Sequence, residues 1–135
     1  MKLIIAGSRD LQIPPHRMDD FVQVFIDSRT ERYGSDPITE VVSGVARGVD
    51  LFGIAWAKRH GIPVKDFPVT DADWKLYGKS AGPRRNRLMA EYADDALIIW
   101  DGKSPGSRNM AETMRGLGKP CLRINYHGRK TPEGD

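Results

Sequence analysis

A doubly wound α/β domain with a parallel sheet is the fold class that this sequence predicts, and three observations predict it. Short apolar runs of β type alternate with segments whose apolar residues recur every three or four positions, the pattern of repeated βαβ units. Glycine-bearing turns directly follow three of those runs: GSRD after KLIIA, SGVARGVD after ITEVV, and DGKSPGSRN after DALIIW. At 135 residues, with 39% hydrophobic and 29% charged residues, the chain is sized for one domain whose core needs neither metal nor disulfide.

The elements follow in order. Lys2 to Ala6 reads as a first, buried strand. Pro14 and Pro15 open a helix in which Met18, Phe21, Val22, Phe25 and Ile26 recur at helical spacing, and the turn Tyr33-Gly34-Ser35-Asp36-Pro37 follows it. Ile38 to Ser43 is a second strand, and Val49 to His60 a helix burying Phe52, Ala55 and Trp56. Gly61 caps that helix, and Pro63 leads into a third strand, Val64 to Phe67. Pro68 to Pro83 is predicted to be a long irregular segment, which in a compact domain points to function. Arg84 to Ala93 is a helix presenting Leu88, Met89 and Tyr92, and Ala96 to Trp100 is the fourth strand. A last helix from about Arg108 to Leu117 buries Met110, Met114 and Leu117, and Gly118 caps it before a fifth strand around Cys121 to Ile124. The domain is expected to span residues 1–126, with 127–135 a polar, frayed tail.

Several classes are excluded on composition. The apolar runs are only strand-sized, and no basic segment with an apolar stretch behind it opens the chain, so a cytoplasmic protein is expected. Cys121, the single cysteine, rules out an internal disulfide and a cysteine-based zinc site. His16, His60 and His127 lie in separate elements without ligand spacing, so no metal, no catalytic histidine and no cofactor are expected. The net charge of +3 permits a polyanionic partner without requiring one.

Right-handed crossovers place five such strands most economically in the order 3-2-1-4-5, which makes the first and fourth strands neighbours at the topological switch point. Ligands of open α/β sheets bind there, outside the carboxyl ends of the strands. The three glycine turns would line one pocket, and free amides at helix starts suit a phosphate. From the first turn come Gly7, Ser8 and Arg9, the last offering a guanidinium at the mouth. The second supplies Ser43, Gly44, Arg47, Gly48 and Asp50, where Asp50 either caps free amides or meets the ligand. The third supplies Gly106, Ser107 and Asn109, with Ser107 placed as an N-cap or as a phosphate donor. Arg84, Arg85 and Arg87 crowd a helix start, an unfavourable end for cations unless an anion neutralises them. Trp74 in the long segment either stacks on a base or anchors its loop.

The segments GSRD, SGVARGVD, DADWKLYGKSAGPRRNRLM and GSRNMAE, in that order, resemble the SLOG superfamily, and more closely its small YspA/YpsA-related branch, from Lys2 to about Asn125. That superfamily is similar to Rossmann folds and is associated with nucleotides and their derivatives. It includes the Lonely Guy phosphoribohydrolases and the DprA proteins, which bind single-stranded DNA. Arg85-Asn86-Arg87-Leu88-Met89 resembles the Lonely Guy motif R-K-x-x-M, so the resemblance gives Arg85 the place of that motif's arginine; in a nucleotide binder, Trp74 or Asn86 is expected to meet the base or ribose. Gly106 and Ser107 match the Gly-Thr pair of the motif P-G-G-x-G-T-x-x-E, whose catalytic glutamate is absent: Arg108, Asn109 and Met110 follow. Cleavage of an N-glycosidic bond needs a carboxylate; Asp101 and Glu112 are the acids within reach in sequence, joining Arg85 as the catalytic set if the protein is an enzyme.

The expected function is binding of a nucleotide or nucleotide derivative as a sensor or sequestering domain. The alternatives are a nucleoside 5′-monophosphate phosphoribohydrolase and a single-stranded nucleic-acid binder of the DprA kind. The resemblance also implies a homo-oligomer.

Overall fold

The computed structural model describes residues 1–127. The tail expected over 127–135 therefore lies, beyond His127, outside the described residues. Five strands, β1 (Lys2–Gly7), β2 (Glu40–Ser43), β3 (Val64–Asp66), β4 (Asp95–Trp100) and β5 (Leu122–Asn125), form one parallel sheet in the order β3-β2-β1-β4-β5. Its helices are α1 (Pro15–Tyr33), α2 (Val49–Arg59), α3 (Asp71–Tyr77), α4 (Ala81–Tyr92) and α5 (Pro105–Gly116).

The alternation of a strand's side chains divides the core into two layers. Leu3 and Ile5 of β1, with Val41, Leu97 and Ile99, pack beneath α1 and α2, where Met18, Phe21, Val22, Phe25 and Trp56 are buried. Ile4 and Ala6, with Val42, Ala96 and Ile98, face Met89, Ala90, Met110 and Met114 of α4 and α5. β4 is buried along its whole length, as a central strand covered on both faces must be.

Four expectations need correction. The segment 68–83 is not irregular: a capping box, in which Thr70 and Asp73 exchange side-chain to backbone hydrogen bonds, starts α3, and the turn Gly78–Ser80 leads into α4. Two turns of helix are too short to show an apolar period, and α3 buries no residue. Because α4 starts at Ala81, Arg84, Arg85 and Arg87 sit beyond its first residues, where the dipole argument weakens. Ser104, not Ser107, caps α5, accepting from the Ser107 amide at 3.3 Å, so that helix opens at Pro105, before the expected start. Leu88 and Ala55 are exposed, while Met89 and Ala57 take the buried positions of their helices.

Candidate functional site

The carboxyl ends of β1, β2 and β4 open on a cleft of about 540 Å³ at the β1/β4 switch point. Side chains and backbone from all three glycine turns line it, together with α4. The first turn is stitched to the third: the Ser8 amide donates to the Ile99 carbonyl at 3.1 Å, and the Ser8 hydroxyl accepts from the Asp101 amide at 3.0 Å. A Cβ on Gly7 would strike Val49 at 2.8 Å, so only glycine lets β1 run this close to α2.

Glycine is needed at Gly48 for a different reason. Its φ of +79° lies in the left-handed region, and a Cβ would meet the Ser8 carbonyl oxygen at 2.5 Å. Val45 in the same turn also has positive φ, +61°, which is strained for a β-branched residue. Ser43 is buried and its hydroxyl accepts from the Val45 amide at 3.1 Å.

Asp50, in the first turn of α2, is 6% exposed, and its Oδ2 accepts from the Ala46 amide at 3.1 Å. Burial pushes its carboxyl up to about 6, against the lowering pull of the Ala46 amide, the Arg85 charge and the Gly7 amide. Asp50 thus binds an amide of the loop before α2 and also lines the cleft.

Arg85 is held by the ends of two strands. Its Nη1 donates to the Gly44 carbonyl at 2.7 Å and the Phe67 carbonyl at 3.3 Å, and its Nε donates to Asn86 Oδ1 at 3.1 Å. The fourth direction, Nη2, has no partner among the described residues, and the side chain lines the cleft. Burial holds the guanidinium below its ordinary range while Asp50 counters the effect. A Cβ on Gly44 would lie 2.5 Å from Nη1 and 3.1 Å from Asp50 Oδ2, so the bare backbone of Gly44 separates the two groups.

The remaining expected residues divide cleanly. Arg9, Arg47, Gly106, Ser107 and Asp101 line the cleft; Arg47 pairs with Asp10 at 3.2 Å, and Asp101 Oδ1 accepts from the Lys103 and Ser104 amides. Asn86 also lines it, and its Nδ2 bridges to Asn109 Oδ1 at 3.0 Å, which gives Asn109 the task of tying α5 to α4. Trp74 neither lines the cleft nor is buried, being 48% exposed on α3. Glu112 lines a separate groove beside β5. Of the other two basic residues, Arg84 stacks on Tyr77 at 3.8 Å and Arg87 pairs with Glu91 at 3.1 Å.

Sequence reasoning missed Asp10, Lys103, Met89 and Met110 as lining residues. The two methionines read as plain core positions, and they also floor the cleft.

No protein-family model and no curated protein matches the chain significantly. Among solved structures, DNA processing protein A (DprA) from Streptococcus pneumoniae superposes over 94% of this chain with a TM-score of 0.64 at 19% identity. The chain has a DprA-like fold. It spans about half of that protein, 51% of the solved chain, and the likeness reaches the fold alone. No described helix is long and apolar enough to cross a membrane.

Proposed function

We propose that the cleft binds a nucleotide or nucleotide derivative, as expected of the YspA/YpsA-related branch of the SLOG superfamily. One observation carries this reading: Arg85 is fixed by three hydrogen bonds and left with Nη2 open, on the wall of a cleft flanked by the starts of α2 and α5. A pre-oriented guanidinium beside helix starts suits a phosphate, and the methionine floor suits a flat apolar group. A phosphate near Gly44 and Gly106 would neutralise the excess of Arg9, Arg85 and Lys103.

Native mass spectrometry of the protein with a pool of nucleoside mono-, di- and triphosphates and cyclic nucleotides tests it, with free bases assayed in the supernatant. An intact nucleotide retained by the wild type, and bound about a hundredfold more weakly by a folded Arg85→Met variant, supports a binder. Free base would make it a hydrolase, with Asp10, Asp50 and Asp101 as the carboxylates of the cleft. Retention of none would refute the reading.

A second reading, nucleic-acid binding, is favoured by the likeness in fold to a DNA processing protein. It requires affinity that falls steeply with salt, because each phosphate contact releases counterions.

A further inference from the structure

A second groove, of about 800 Å³, lies between α5 and the edge strand β5, with Arg108, Arg115 and Arg123 on its walls and Glu112 as the one acid. None of the three arginines is ion-paired among the described residues. The fourth cation, Lys119, is already spent: its Nζ donates to the carbonyls of Ala90, Glu91 and Ala93 at the end of α4. Trp100 lies between two of the guanidiniums, 4.6 Å from Arg123 and 5.9 Å from Arg108, and is 7% exposed.

Among the described residues, the strand beside this groove has a free side. The Tyr126 amide donates to the Trp100 carbonyl at 2.9 Å, which assigns the backbone of Tyr126, Ile124 and Leu122 to the ladder with β4. By the two-residue period, the N–H and C=O groups of Arg123 and Asn125 point away from the sheet, and β5 is the last strand in the order. Leu122 and Ile124 pack on the α1/α2 side of the core, so the exposed side chains of Arg123 and Asn125 rise on the α5 side, where Arg123 lines the groove.

We propose that this groove docks an extended acidic segment of a partner protein, which pairs with the free edge of β5 and sets its carboxylates against Arg108, Arg115 and Arg123. Unpaired edge amides supply main-chain affinity, and carboxylate–guanidinium pairs supply selectivity. Nucleic acid fits less well. The one aromatic ring in the wall is buried beneath guanidiniums, leaving no exposed ring on which a base could stack.

The test is fluorescence anisotropy of the full chain at low salt with a labelled peptide of alternating Glu and Thr, against an oligothymidylate. Arg115→Glu/Arg123→Glu should weaken the peptide about tenfold or more. Asn125→Pro removes only an outward N–H, a change an edge strand tolerates, and should weaken the peptide several-fold with unchanged circular dichroism and melting. No binding of the peptide by the wild type overturns the proposal. So does an Asn125→Pro variant with wild-type affinity, which would leave a purely ionic surface. Oligothymidylate binding that falls in the double arginine variant while the peptide is ignored would assign the groove to nucleic acid instead.

Discussion

Replacing Asp50 by asparagine should stabilise the protein at neutral pH and remove a pH dependence that the wild type carries. Folding moves this carboxyl from the ordinary 3.8 to about 6 because burial penalises its charge. Between those values the folded state holds a proton that the unfolded state has released, so stability falls as pH rises through that window. At about 1.4 kcal/mol for each tenfold change in acidity, the full displacement costs about 3 kcal/mol above pH 6, and about 2 kcal/mol of it develops between about pH 4.5 and pH 7.5. An asparagine keeps an oxygen to accept from the Ala46 amide and carries no charge to bury. Urea unfolding of both proteins across that range is the assay. We expect the Asp50→Asn variant to gain about 1–2 kcal/mol at about pH 7.5, after a discount for its weaker acceptor, and nearly nothing at about pH 4.5. Parallel pH profiles for the two proteins, or a variant less stable at neutral pH than in acid, would refute the reasoning.

Three further outcomes are expected. Lys119→Met strips the cation from three carbonyls at the end of α4 and should cost about 2 kcal/mol in chemical denaturation. Val45→Gly relieves the strained +61° φ and should raise stability by about 1 kcal/mol, read as a melting temperature higher by about 4 °C. Gly48→Ala would drive a Cβ against the Ser8 carbonyl and should cost about 3 kcal/mol, with loss of melting cooperativity as the sharper sign of a disturbed cleft.

The sheet order and its switch point are legible because they follow from alternation: each glycine turn comes directly after a buried strand, and handedness does the rest. Arg85 is less legible, since its neighbours Arg84 and Arg87 have the same chemistry in sequence; only the fold shows that Tyr77 and Glu91 take those two. Glu112 misleads for a reason of helical geometry. At about 100° per residue it stands about 140° around α5 from Ser107, and so faces the groove by β5 while Ser107 and Met110 face the cleft. The Ser104 cap and the seven-residue α3 depend on local hydrogen bonds that leave no periodic trace.

The clamp on Arg85 couples the cleft to a distant margin of the sheet. The guanidinium from α4 is held by carbonyls at the ends of β2 and β3, and β3 is a three-residue, half-exposed edge strand held to β2 by few bonds. When that edge frays, Arg85 loses an anchor and the cleft loses its orientation. Occupancy of the cleft would then slow amide exchange at Phe67 and its neighbours, residues outside the cleft wall. The clamp makes the filled cleft a lock on the far border of the sheet.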